Sequence, residues 1–579
     1  MNKHLKISLV ATLLFCIGCT RPPIYSTEYN LDFEYVKNDS IPTQWIISDP
    51  NTTGYSVHVD TLVKQHGHSS ARLQWDTAAM ARQGGIQQYW PGRQFAGKEV
   101  EVSGWTRAEG LSDDGHVFLW LMVADSTGGL QLRADTLRTT RGTADWTRLA
   151  AKLTVPNDCT NLVIAGVLAG RGTVWFDNFE IRTDGARYED KEIPALKTEL
   201  SDRDKEELRR YVHPLRTCEP DGGDTHDLDI LRQLIGNCKV VGLGENTHGT
   251  SEIYLLKNRI FRYLAENEGF DILALEAGMA ESRRVNDYTA TGTGDPKQSI
   301  RGLWLWPWWT EEMLSLIEWM RTYNTPEPKI AFTGVDMQFP QFTMRELQRG
   351  LGACPSAGRQ VGMLSDKLQT YLSKPGPELA AEIGAGLDSL AADKELAVLS
   401  DEERAWIRQY MTLVRRFLDK NKTTYWRDRG MAANLQWIMR QNPNSRIVLW
   451  AHDLHIGRSA MFPMGTFLKE RFGDDYKTFG FVLYEGSYTA WKNKLDVFAL
   501  PAPEPGTLEY ALGQLHEPIF MLDLERMRKE NASAMKWIDH LEYREITSTP
   551  GILFQRRITE TFDYLFFIRT ASASHVLNF

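Results

Sequence analysis

The chain has 579 residues, 42% hydrophobic and 24% charged, which is globular composition and too long for one ordinary domain. A formal net charge of -9 argues against a nucleic-acid backbone as the main partner. Its 18 tryptophans suit core packing, or the binding of sugars and bulky apolar ligands.

Lys3 and Lys6 precede an apolar run, Ile7 to Ile17, that ends in Cys16-Ile17-Gly18-Cys19. A basic start and a run too short to span a bilayer read as a signal peptide over residues 1–18. The Gly-Cys ending resembles a bacterial lipoprotein signal, with Cys19 as the lipidated residue. That implies a lipid anchor in the cell envelope, on the periplasmic or the outer-membrane surface. Cys16 stands where Leu is usual, and a secreted protein cut nearby is the alternative. No later stretch is long and apolar enough to cross a membrane. Cys159, Cys218, Cys238 and Cys354 show no C-x-x-C spacing. Cys218 and Cys238 either pair in an oxidising compartment or stand as isolated thiols.

After a polar tether over residues 20–30, the pattern from 31 to 183 is all-β. Short alternating runs such as Ser70 to Trp75, Val100 to Trp105 and His116 to Met122 are separated by Gly, Asp and Asn. That spacing predicts a β-sandwich. Trp175-Phe176-Asp177-Asn178 resembles the final strand of the jelly-roll, carbohydrate-binding-like domains that accompany secreted bacterial carbohydrate enzymes. The resemblance implies a glycan partner or a spacer. Tyr89 and Trp90 fit a sugar-stacking platform or the core equally well. Residues 184–200, with mixed charges and Pro194, read as a linker.

From 201 onwards helices and strands alternate. Helices are predicted over 228–234, 252–266, 311–323 and 429–440. Strands are predicted over 239–245, 271–276, 329–336, 446–452, 478–484, 518–524 and 552–556. Residues 341–420 are strand-free and read as a helical insertion. Such alternation predicts an α/β domain over 201–579 with a mostly parallel sheet. Four apolar runs, VVGLGE, ILALE, IAFTGVD and IVLWAH, each end on an ionisable residue. Ligands bind at the carboxyl ends of parallel strands, so Glu245, His248, Glu276, Asp336, His452 and His455 are candidates to converge there. Carboxylates with histidines are acid/base chemistry. Each residue also has a structural reading: an ion pair for the carboxylates, with Arg259, Arg283, Arg427 or Arg429 as partner, and a helix cap for His248. The run Trp304 to Trp309 walls a cleft or packs a helix. G-x-G-x-x-G, Gly-Lys-Ser/Thr, H-E-x-x-H and Gly-x-Ser-x-Gly are all missing.

Residues from about 225 to 570 resemble the erythromycin esterase family. The matching pieces, in order, begin with Gly244-Glu245-x-Thr247-His248-Gly249, Arg259 to Tyr263 and Leu275-Glu276. Trp319 to Asn324, Gly334 to Gln338 and Arg427-Asp428 with Met431 to Asn434 follow. The last are Trp450-Ala451-His452-x-x-His455 and Phe562 to Ile568. Asp453 stands where Asn is common, and Ala433 where Glu is common. The resemblance implies hydrolysis of a small-molecule carboxylic ester or macrolide lactone, as in antibiotic resistance, with no cofactor. His248 would be the base that deprotonates water, with Glu245 and Glu276 orienting it and His452 and His455 completing the cleft. His452, His455 or Arg259 would hold the oxyanion or substrate, and Asp336 would be structural. Two other readings remain open. One is a metal hydrolase that uses Glu245, His248, His452 and His455 as ligands. The other is a surface glycan-binding protein with an inactive second domain.

Overall fold

The computed structural model describes residues 24–37, 40–47, 53–76, 83–125, 130–136, 142–419, 425–459, 462–546, 552–555 and 557–579. The signal-like segment 1–18 and the expected anchor Cys19 lie outside the described residues.

The N-terminal region is a sandwich of two antiparallel sheets. One runs Leu130–Thr136, His116–Asp125, Cys159–Ala169, Gln83–Pro91, Ile46–Ile47 from edge to edge. The other runs Gly142–Thr154, Glu99–Leu111, Thr173–Thr183, Ser70–Trp75, Tyr55–Asp60, with Ala186–Arg187 added to Thr173–Thr183. Side chains alternate across a strand, so Val117, Leu119, Leu121 and Val123 enter the core from one sheet and Val174 and Phe176 from the other. Trp90 is fully buried and stacks on Tyr29 with ring centroids 3.3 Å apart, so it is core rather than a sugar platform.

The segment expected to be a linker, residues 184–200, carries two short paired strands. Ala186–Arg187 pairs with the sandwich, and Glu192–Pro194 pairs with Ile24–Thr27. Ser201 then opens the helix Asp202–Arg209 through a capping box with Asp204. The two regions also touch through Arg93 and Glu470 at 2.6 Å, Tyr25 and Glu542 at 3.1 Å, and Asn161 and Tyr425 at 2.6 Å.

The C-terminal domain is built on a nine-stranded sheet: β1 Val212–Pro214, β2 Val240–Leu243, β3 Ile272–Gly278, β4 Ala331–Asp336, β5 Ile447–Trp450, β6 Tyr476–Trp491, β7 Leu495–Leu500, β8 Ile519–Asp523 and β9 Tyr564–Ala571. Its order is β1-β8-β9-β6-β2-β5-β3-β4, with β7 on β6. The run from β9 to β4 is parallel, while β1, β7 and β8 pair antiparallel. Strands β2, β3 and β5 are buried on both faces, as their unbroken apolar sequence requires. Ile552–Gln555, expected as a strand, pairs antiparallel with Glu542–Glu545 in a separate two-stranded sheet.

The relevant helices are α1 Ser251–Asn267, α2 Glu311–Tyr323, α3 Pro340–Gly350, α4 Pro355–Ser373, α5 Pro377–Ala391, α6 Asp401–Leu418 and α7 Trp426–Gln441. The insertion, α3 to α6, shares its core with the sheet: Leu347, Val361, Ile383, Leu387 and Val414 join one cluster with Val335 of β4 and Ile447 of β5. Cys218, Cys238 and Cys354 are buried free thiols, so the Cys218–Cys238 pair is not formed.

Candidate active site

Neighbouring strands β2, β5, β3 and β4 end side by side, and each delivers one ionisable residue to the same sheet edge. Past β2 the chain turns through Gly244 to Glu245. A Cβ on Gly244 would lie 1.7 Å from Asp453 Oδ1, so only glycine lets the β2 and β5 exits approach this closely. Gly249 is equally confined, by the Thr489 carbonyl at 1.8 Å.

Glu245 is fully buried. Its Oε1 faces His248 Nδ1 at 2.7 Å, and its Oε2 accepts from Lys257 Nζ at 2.7 Å and Trp450 Nε1 at 2.8 Å. Burial pushes the carboxyl up, but Lys257 and His248 outweigh it and hold it at about 2. Burial lowers Lys257 to about 8 against the pull of Glu245. Its ammonium also sits 4.6 Å from the Trp450 ring centroid. Glu245 is therefore a fixed carboxylate. It selects the His248 tautomer that carries hydrogen on Nδ1 and leaves Nε2 as the basic atom. His248 is 24% exposed, whereas the Glu245 and Lys257 side chains are sealed, so the imidazole is the member of this relay that meets solvent. The Trp306 ring lies edge-on to it at 6.4 Å.

A second set lies beside the first. Glu276 Oε1 accepts from Arg427 Nη2 at 2.7 Å and lies 3.2 Å from His455 Nε2; its Oε2 accepts from the His452 amide at 2.9 Å. Burial raises this carboxyl, yet His455 and Arg427 bring it well below the usual carboxylate range. His455 Nδ1 lies 2.7 Å from Asp428 Oδ1. Burial disfavours its charge, but Glu276 and Asp428 overcome that and raise it to about 10. His455 is thus an imidazolium donating to two carboxylates, and its 3.1 Å approach to Arg427 Nη1 is packing of two donors rather than a hydrogen bond. Arg427 also reaches Asp336 Oδ2 at 2.7 Å, and Asp336 accepts from the Met337 amide and Gln338 as well.

His452 caps the short helix Asp453–Ile456: its Nδ1 accepts from the Leu454 amide at 3.1 Å, which leaves the hydrogen on Nε2. Burial, and then His248, push it well below its usual range, so it stays neutral. Its ring centroid is 4.7 Å from that of His248.

The structure therefore brings Glu245, His248, Glu276, His452 and His455 together, with Asp336 at the margin. Arg259 is not among them. It is buried on another face of α1, where it is spent on Asp227 at 2.6 Å and on the carbonyls of Thr217 and Asp224. Among the described residues, no three His, Cys, Asp or Glu side chains are arranged to hold a metal ion. The four residues of the metal reading are engaged with cations, carboxylates and backbone amides. Within the tryptophan run, Trp308 is buried and donates to the Glu276 carbonyl at 3.2 Å, while Trp306 lies beside His248. Asp453 is fully buried and accepts from Tyr543 and the Phe481 amide, so this departure from the family pattern faces the core.

Lys257, Arg427 and Asp428 hold the site together; sequence pattern offers Arg427 as a carboxylate partner and Arg427-Asp428 as a family match, but does not mark Lys257 as a site residue. Lys257 does leave a trace there: it falls within the apolar stripe 253, 256, 260, 261, 264 of α1, where a lysine needs a buried partner.

Known proteins share the sequence and fold of the C-terminal domain. The family model described as erythromycin esterase matches residues 265–571. Erythromycin esterase type II of Escherichia coli is 24% identical over 431 residues, which cover 63% of this chain and 97% of that protein. Among solved structures, a succinoglycan biosynthesis protein is similar at 27% identity and a TM-score of 0.57, over 65% of this chain and 99% of that one. A mutant erythromycin esterase EreC in its open conformation has the same fold at 17% identity and a TM-score of 0.51, over 64% of this chain and 100% of that one. The chain belongs to the erythromycin esterase family.

Proposed function

We propose that the protein cleaves a carboxylic ester or macrolide lactone with water activated by His248. The observation that carries this reading is the relay Lys257–Glu245–His248: a buried, doubly held carboxylate aimed at the one imidazole of the relay that reaches solvent.

His248 Nε2 takes a proton from water while the oxygen attacks the ester carbonyl. The imidazolium that forms faces Glu245 through Nδ1–H. The cluster sets four carboxylates, Glu245, Glu276, Asp336 and Asp428, against three cations, Lys257, Arg427 and His455. The proton taken up by His248 offsets the remaining negative charge. His452 Nε2–H, beside His248 and only 3.5 Å from the Ile546 carbonyl, is the donor assigned to the tetrahedral oxyanion. Collapse expels the alkoxide, which regains a proton from His248. Atoms balance: the ester and water become an acid and an alcohol.

Hydrolysis of p-nitrophenyl acetate, erythromycin and acylated glycans by the wild type and His248→Ala tests this reading. A base contributes about 10²–10⁴-fold, so His248→Ala should lose at least ~10²-fold in kcat. Full activity in that variant would rule the mechanism out.

Two further assignments rest on sequence pattern. Cys19 is proposed as a lipid anchor, tested by palmitate labelling that Cys19→Ala abolishes. The sandwich is proposed as a glycan contact, tested by retention of the protein on insoluble polysaccharide.

A further inference from the structure

We propose that Tyr425 is a positioning residue through which the β-sandwich holds Arg427 and Asp428 in place at the catalytic cleft. The proposal rests on the hydrolase reading above. Tyr425 stands at the N-cap of α7, and its carbonyl accepts the first helical bond, from the Arg429 amide at 3.0 Å. Its backbone is left-handed, with φ 60, a conformation that costs a bulky residue energy and persists only where the surroundings impose it. The side chain supplies that constraint. Its hydroxyl accepts from Asn161 Nδ2 of the sandwich at 2.6 Å, and its ring lies 5.7 Å from that of Phe462. Asn161 is fully buried at the start of the strand Cys159–Ala169.

Two routes lead from this point to the same carboxylate. Along the helix, Arg427 and Asp428 follow within one turn. Across the contact, Phe462 precedes Met464, whose amide donates to Asp428 Oδ1 at 2.8 Å. That oxygen also faces His455 Nδ1, and Arg427 holds Glu276 and Asp336. The charged and titratable groups around His455 are therefore Glu276 from β3, Arg427 and Asp428 from α7, and His452 from its own segment, with Asp336 acting through Arg427. A shift of the α7 entry moves two of these, Arg427 and Asp428, at once. A domain outside the matched family region thus reaches the cleft through one hydroxyl.

The test uses the full-length chain as wild type, Tyr425→Phe, Asn161→Ala and the double variant. Tyr425→Phe keeps the ring on Phe462, and Asn161→Ala leaves the catalytic domain untouched. One readout is kcat and KM for p-nitrophenyl acetate. The other is the His455 titration by histidine-selective NMR, assigned with His455→Asn. Sub-ångström misplacement is costly, so kcat should fall roughly 10-fold at similar KM in either single variant, with no further loss in the double. The His455 midpoint should move down from about 10 as Asp428 loosens. Unchanged kcat and an unchanged His455 midpoint in both single variants would overturn the proposal. If the wild type turns over no ester yet the midpoint shifts, the positioning stands and the hydrolase reading falls.

Discussion

Lys257 Nζ lies 2.7 Å from Glu245 Oε2, and neither side chain reaches solvent. A buried pair is weak evidence for stability, but breaking it leaves an uncompensated charge in the interior. Lys257→Met should therefore destabilise the domain by about 3–5 kcal/mol. Urea unfolding at pH 7 measures it, and Lys257→Met with Glu245→Gln should recover much of the loss.

Glu245→Gln alone removes the charge that favours the His248 imidazolium and leaves the amide free to donate to Nδ1. Both effects oppose base catalysis, so kcat should fall ~10²-fold or more with KM little changed. Steady-state kinetics at pH 7 decide it; a fall confined to KM would instead make Glu245 a substrate contact.

Chelator-treated protein should keep full ester hydrolysis and carry less than stoichiometric metal. His455 is held as an imidazolium and Glu245 is occupied by Lys257. Loss of activity that zinc restores would favour the metal reading instead.

The pH dependence of stability has a definite sign. His455 is raised from 6.5 to about 10, so its contribution is complete below about 6.5 and disappears as pH rises toward 10. Burial, with Glu346 and Asp336, raises the Glu281 carboxyl from 4.5 to about 8, so it lowers stability increasingly from pH 4.5 up to about 8. Thermal melts should therefore show Tm falling on the alkaline side. Glu281→Gln should raise Tm at pH 8–9 and leave it unchanged near pH 4.

Gly244→Ala would force a methyl group onto Asp453 Oδ1, and Tyr543 and the Phe481 amide hold that carboxylate in place through its Oδ2. Overpacking of this kind costs about 1–3 kcal/mol, and here it also tilts Glu245. A lower Tm together with reduced kcat is expected, and normal kcat would show that the turn tolerates displacement.

The strand ends are legible in the amino-acid sequence. Runs such as VVGL and IVLW are apolar throughout because both faces of a parallel strand are covered, and that pattern alone places Glu245, Glu276, Asp336 and His452 at one sheet edge. Periodicity also marked the helical insertion and the alternating strands of the sandwich. Partner choice was decided only by the tertiary structure. Arg259 and Lys257 lie two residues apart on α1 and therefore point to different faces. One meets Asp227, and the other meets the buried Glu245. Arg427 and His455 join Glu276 across long stretches of chain, and Asn161 meets Tyr425 across a domain boundary. Local pattern records which face a side chain occupies, but an ion pair depends on what the fold brings opposite that face.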